Sequence, residues 1–533
     1  MKEYFDVTMT ERHELLSNSD PEDEDGEIYD DRSPGMSEAL LIDAIEPEPS
    51  VSLPHLLLLS CGVGGLQVVW SVILSNGSPF LVSLGLSKSL TALVWVAAPL
   101  CGVVVQPLVG TWSDRTQSRM GRRRPFILGG AVGVVISMLC LAWIEDLVYG
   151  IPKAPEYRTS GTQHLVISIA IFLIYILNMS IQPLQAGLRT LIVENCPTHQ
   201  QAQASAWAGA MTGVGNIVGY LSGFAALPDL FGSKTLTQFQ CLCVIASASF
   251  LVTTAMSCSV VERHVPPERI ELNGLVAFLG DLFRTYRSMP MKIRDVCHIQ
   301  FCAWMGWFPF LFYSTTYVGE FYEGRVKARD SSTPPMPGDR STLSEEAIRF
   351  GTFASFLFAV VAFIANIFLP LLLKAFNEGN SSPRSHSNKL RISQLWICGH
   401  VFFALAMFAT LIITSQAGAT FIVACVGLSW ALTLWAPFAI IGSELAARQS
   451  LRDTISDISG EEPPPPSRDV QAGAIMGLHN VAISAPQIIA ALACSGIFGI
   501  AKALGSQAGT GWVLRAGGCA ALGAAYLTSR FEG

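Results

Sequence analysis

Twelve apolar stretches of about twenty residues recur along this 533-residue chain, and they constrain its class more than any other feature. A helix rises about 1.5 Å per residue, so roughly 20 apolar residues cross the ~30 Å hydrocarbon layer, where every backbone N–H and C=O must be paired within the chain. The stretches run near 55–84, 90–111, 125–145, 164–190, 203–226, 238–260, 299–320, 349–373, 392–416, 418–446, 471–500 and 511–528. Only 14% of the residues are charged, against roughly 25% in soluble domains. That excludes a soluble globular enzyme and predicts an all-α membrane protein of twelve transmembrane helices.

Lysine and arginine in the connections set the orientation. Connections after the even-numbered stretches carry 18 of them and those after the odd-numbered ones about 9, which predicts that both termini are cytoplasmic. Residues 1–53 hold 16 Asp or Glu against Lys2, Arg12 and Arg32, a local net charge of −13 in a chain of −7, so the remainder sums to +6. They read as an acidic, disordered cytoplasmic tail on a mildly basic body in the bilayer, with no nucleic-acid partner. The opening MKEYFDVTMTERHELL lacks the basic start and apolar core of a cleaved signal peptide. Its Glu11-Arg-His-Glu-Leu15-Leu16 has the shape of an acidic dileucine signal read by sorting adaptors, which sets the vacuolar membrane beside the plasma membrane as a destination. Thirteen cysteines lie singly, mostly in apolar stretches, and read as packing residues. No metal or cofactor is expected, and no HExxH, GxSxG, Walker or Rossmann pattern stands in a sensible context.

The connection 261–298 divides the chain into six-span halves, 54–260 and 299–529. Within it, Leu272 to Tyr286 has helical apolar spacing and is expected on the membrane surface. The Pro-rich SSTPPMPGDR and EEPPPPS read as disordered. AGAMTGVGNIVG at 208–219 aligns with AGAIMGLHNVAI at 472–483, matching Ala208/Ala472, Gly209/Gly473, Ala210/Ala474, Gly213/Gly477 and Asn216/Asn480. Pro183 and Pro437 repeat at an offset of 254, against 264 for that motif. Parallel repeats of this kind predict two six-helix bundles rocking about a shared site, the major facilitator fold; the alternative is chance likeness among small-residue membrane helices.

Between spans 2 and 3, Gly110-Thr-Trp-Ser-Asp114-Arg115 leads to Arg119-Met-Gly121-Arg122-Arg123-Arg124-Pro125. Gly110 admits a close helix. Asp114, able to accept from a facing helix N-terminus and pair with Arg115, Arg122 or Arg123, makes a candidate conformational latch, beside the simpler role of the arginines in setting topology. At membrane depth an ionisable group is a functional candidate by default. Arg189 follows Asn178, Gln182 and Gln185 at helical spacing, which predicts one polar face toward a wet cavity; the competing role is a structural arginine paired with Glu194 or Glu444. Gln67, Asn76, Asn216, His479 and Asn480 add hydrogen-bonding groups, and Trp70, Trp207, Trp304, Trp307 and Trp435 add flat faces. Such a mixture suits a polyhydroxylated ligand, although each Trp is equally a packing residue and His479 either titrates or stays neutral and bonded.

Residues 65–127, with GTWSDRTQSRMGRRRPF, resemble the opening of the plant sucrose–proton symporters, their animal melanosomal relatives and the fungal α-glucoside permeases, the fungal branch most of all. NCPTHQQAQASAWAGAMTGVGNIVGY, GWFPFLFYSTTYVGEFY, WAPFAIIGSELA and QAGAIMGLHNVAISAPQ extend the resemblance over both halves. It implies secondary transport of sucrose or related α-glucosides such as maltose by alternating access, with protons as the second cargo. It implies an essential arginine at Arg189 and a proton-handling aspartate at the position of Asn178. Asparagine cannot titrate, so coupling would pass to Glu444, Glu194 or His479, or be lost; an uncoupled uniporter and a sugar sensor with weak transport are the alternatives. Where the plant members carry GIPH, this chain has Gly85-Leu86-Ser87-Lys88.

Overall fold

All twelve stretches lie on helices in a computed structural model of the protein, which describes residues 50–115, 118, 120–121, 123–150, 159–196, 200–232, 235–261, 275–329, 337–379, 391–459, 472–506 and 509–531. The acidic tail up to residue 49, Arg122 and the EEPPPPS segment lie outside the described residues. The first half comprises α1 (Leu53–Ser83), α2 (Lys88–Val94), α3 (Ala97–Arg115), α4 (Arg124–Ala142), α5 (Ile144–Tyr149), α6 (Ser160–Glu194), α7 (Gln201–Phe224), α8 (Leu227–Leu230) and α9 (Gln238–Ser259). After α10 (Leu275–Ser288), on the connecting segment, the second half comprises α11 (Met291–Arg329), α12 (Pro337–Gly379), α13 (Ile392–Ala409), α14 (Gln416–Cys425), α15 (Gly427–Ser459), α16 (Ala472–Ala503) and α17 (Gly509–Ser529).

The helix starts follow local chemistry. Ser87 and Ser415 each accept from a first-turn N–H of α2 and α14, and capping boxes Thr159–Thr162 and Thr237–Gln240 open α6 and α9. These four are starts on the side expected to face outward, where a donor left unmet at the edge of the hydrocarbon is expensive. Several boundaries differ from the sequence expectation. The second span is two helices with a turn at Trp95–Val96, and the tenth breaks at Val426. There Gly427 fits against the Phe358 carbonyl of α12, 2.5 Å from where a Cβ would stand. The eighth span begins at Pro337, so the end of the Pro-rich SSTPPMPGDR is helical.

Nine helical stretches among the described residues are long and apolar enough to cross a membrane. The other three expected spans, α7, α11 and α17, trade hydropathy for close approach or carry charged ends. Gly306 of α11 and Gly517 of α17 face each other: a Cβ on either would stand 2.6 or 2.9 Å from the other's carbonyl oxygen. Small residues let membrane helices meet backbone to backbone, where dispersion replaces the missing hydrophobic drive. Gly517→Leu is expected to cost about 1–3 kcal/mol by overpacking. It should lower the melting temperature of the purified protein, whereas Gly523→Leu, with nothing within 4 Å, should leave it unchanged.

Packing repeats between the halves. α1 packs on α7 and α9 as α11 packs on α16 and α17, and α4 on α6 as α13 on α15. Pro183 sits inside α6 and Pro437 inside α15. Each half has its own apolar core, one built around Leu59, Val69, Ile127, Ile181 and Phe250, the other around Ile293, Trp307, Trp396, Phe403 and Leu514. These are the two six-helix bundles. α11 and α16 also send Phe308, Phe312, Ala491 and Phe498 into the first core, joining the bundles.

Candidate functional site

The polar stripe of α6 begins at Asn178 and ends at Arg189, over about 16 Å of helix. Ile174, Ile181 and Leu188 form its buried apolar line, and Leu165, Phe172 and Met179 its exposed apolar line. At about 100° per residue the stripe lies a quarter turn from each, on a third face. Asn178 and Gln182 are buried, and Gln185 is half-buried. Asn178 donates to the Ile174 carbonyl at 2.8 Å, as a side chain turned back along its helix does, but its Oδ1 is buried without an acceptor's due. The Arg189 side chain is exposed. Among the described residues it has no hydrogen bond or ion pair. It stands at the end of the stripe nearer the C-terminus of α6.

Opposite stands α16. His479 is buried, with Nε2 unbonded among the described residues and its ring edge-on to Phe438 of α15 at 5.0 Å. Its neighbour Asn480 donates to Gln106 Oε1 of α3 at 2.7 Å. One turn further out, Gly102 of α3 leaves room for Ser484 of α16 and Gln182 of α6. A Cβ there would stand 2.9 Å from Ser484 Oγ and 3.9 Å from Gln182 Oε1. Gln182, Ser484 and Asn480 thus gather where α3, α6 and α16 meet, with His479 beside Asn480 in the chain and Arg189 further along the α6 stripe. Gln106 and Ser484 are additions the sequence reading missed; the amide inside the apolar run VVVQPLV was the available signal for the first.

The remaining expected residues lie elsewhere. Gln67 Nε2 and Ser71 Oγ both donate to Asn216 Oδ1, at 2.9 and 3.0 Å, clamping α1 to α7 within the first bundle. Asn76 bonds Ser75 and stands at the outer seam near Gly223 and Thr352. Trp307 is wholly buried in the second core, its indole N–H bonded to Thr433 at 3.1 Å, so it offers no face to a ligand. Trp304 is half-buried edge-on to Trp430, with its N–H unmet. Glu444 pairs with Arg448 on its own helix at 3.0 Å rather than with Arg189, and the side chain of Glu194 lies outside the described residues. Of the expected latch, Arg123 is buried and donates to Ser113 of α3. The side chains of Gly110, Asp114 and Arg115 lie outside the described residues.

Between the bundles, most of the bonds gather at the side expected to face outward. Lys88 pairs with Glu320 at 2.6 Å, and Thr510 donates to the same carboxylate at 2.6 Å. Ser89 meets Ser495 at 2.9 Å, Thr315 donates to the Ser75 carbonyl at 3.2 Å, and Arg349 to that of Phe224 at 2.9 Å. Among the described residues, Gln106–Asn480 is the one hydrogen bond between bundles nearer the cytoplasm. The other bonds tie the bundles together on the side expected to face outward.

The family described as Major Facilitator Superfamily matches residues 59–457. The General alpha-glucoside permease of Schizosaccharomyces pombe is 32% identical over 551 aligned positions, covering 90% of this chain and 94% of that protein. Sucrose transport protein SUT2 of Oryza sativa subsp. indica is 27% identical, covering 84% and 87%. Among solved structures, a D-xylose-proton symporter superposes with a TM-score of 0.53 at 14% identity over 90% of this chain and 98% of that one. The partially occluded inward-open xylose transporter XylE from E. coli gives 0.56 at 13%, over 90% and 97%.

Proposed function

Because the chain belongs to the major facilitator superfamily, we propose that it carries sucrose or a related α-glucoside such as maltose across its membrane by alternating access, together with protons. The observation that carries this is a set of unmet polar groups on facing helices: Asn178 Oδ1, His479 Nε2 and the free Arg189 guanidinium. A buried polar atom without a partner costs about 1–3 kcal/mol, and a ligand rich in hydroxyls supplies both donors and acceptors to all three. Arg189 presents five N–H donors in a fixed fork, suited to adjacent sugar oxygens. The full-length likeness to a protein named for α-glucosides supports the class of cargo.

In this reading residues 54–260 and 299–529 are the rocking bodies and 261–298 is their linker. The outer seal of Lys88, Glu320 and Thr510 breaks, and a cytoplasmic contact around Asp114 forms, when the site turns outward. The plasma membrane is the proposed location, and adaptors reading the Glu11-to-Leu16 signal would divert the protein to the vacuole. Asn178 favours one second reading, an uncoupled uniporter, since an amide at that position cannot carry a proton.

Liposomes holding the purified protein decide between them. Uptake of labelled sucrose and maltose is expected to rise several-fold under an acid-outside gradient and to fall with an uncoupler. Uptake indifferent to both establishes the uniporter, and no uptake of either sugar overturns the proposal.

A further inference from the structure

The repeat places Asn216 and Asn480 at equivalent positions of α7 and α16, and the structure uses them differently. Asn216 is consumed inside its own bundle by Gln67 and Ser71. Asn480 reaches across to Gln106. Both members of that bridge face inward. Val104 and Leu100 mark the exposed apolar face of α3 at 45% and 41%, and Gln106 lies about 200° from Val104 around the helix. Ile489 marks that of α16 at 46%, and Asn480 lies about 180° from it. Both amides nonetheless keep part of their surface accessible beside the bridge.

Each amide also has capacity left. An amide carries two N–H donors and a two-lone-pair oxygen. Among the described residues, Gln106 bonds only through Oε1 and Asn480 only through one Nδ2–H. That leaves the Gln106 NH2 and the Asn480 carbonyl without a partner among the described residues, one donor group and one acceptor on two bridged side chains. Exchanging an amide–amide bond for amide–hydroxyl bonds is nearly neutral, whereas a ligand that breaks the bridge without replacing it leaves two groups unmet. Resting on the glycoside reading above, we infer that Gln106 is a specificity-determining residue: with Asn480 it reads a pair of adjacent hydroxyls on one sugar ring, and the bridge between bundles is the bond that the ring displaces.

The test uses the full-length protein in liposomes and competition against labelled maltose by maltose analogues lacking one hydroxyl each on the non-reducing ring. For the wild type, one or two adjacent deoxy positions are expected to weaken competition about tenfold. Gln106→Leu should weaken maltose itself by about that factor and erase the penalty at those positions only. Gln106→Glu retains an oxygen to accept from Asn480, so it keeps the bridge while losing the donors to sugar; it should erase the same penalties. If Gln106→Glu keeps the wild-type pattern, or if either variant weakens all analogues alike, Gln106 is merely a clip and the inference fails alone. If wild-type protein takes up no maltose and no analogue competes for sucrose, the glycoside reading falls and this inference with it.

Discussion

Arg189→Ala is expected to abolish glycoside uptake, with at least a hundredfold loss in kcat/KM, while leaving the amount and melting temperature of the protein at wild-type values. Each hydrogen bond from a charged group contributes about 1.5–3 kcal/mol, and losing two fork donors from one ligand exceeds a factor of a hundred. The fold should not suffer, because the guanidinium has no bond among the described residues and removing it leaves no buried group stranded. Arg189→Lys keeps the charge but loses the planar fork, and an intermediate loss of about tenfold is expected. Uptake by Arg189→Ala within threefold of wild type would remove this side chain from the site.

His479→Gln is expected to uncouple the protein. Maltose should still equilibrate down its own gradient, but accumulation driven by an acid-outside gradient should vanish. The ring is buried with one nitrogen unmet among the described residues. In the proposed cycle a proton at His479 and a ligand in the adjoining site are linked, and linkage is reciprocal: whichever arrives changes the affinity for the other. Of the two carboxylates that stand as alternatives, Glu444 is occupied by Arg448 on its own helix. Measured sugar accumulation under an imposed gradient checks this, and full accumulation by the variant would assign the proton to another group.

Much of the fold was legible because a bilayer leaves few options. The twelve spans, the repeat linking α6 and α7 to α15 and α16, and the polar stripe of α6 all follow from hydropathy, small residues and helical spacing. The Gly/Ala-rich twelfth span, weak by hydropathy, is a helix because Gly517 lets it lie on the α11 backbone at Gly306. The site was legible only in part. A polar residue in a span signals that it avoids lipid, but not whether it turns to a neighbour or to open water. Gln67 and Asn216 had the same credentials as Asn480 and were found spent on each other.

The sequence by itself determined the class, the span count and the face of α6 that carries Arg189, since these depend on transfer energies and periodicity within single helices. Only the tertiary structure decided which polar groups stay unsatisfied. It paired Glu444 with Arg448, buried Trp307 in the second core, and brought Gln106 to Asn480. The last two depend on distances between helices far apart in the chain, set by how glycine-lined backbones and aromatic cores settle against one another, whereas the Glu444–Arg448 pair lies within one helix.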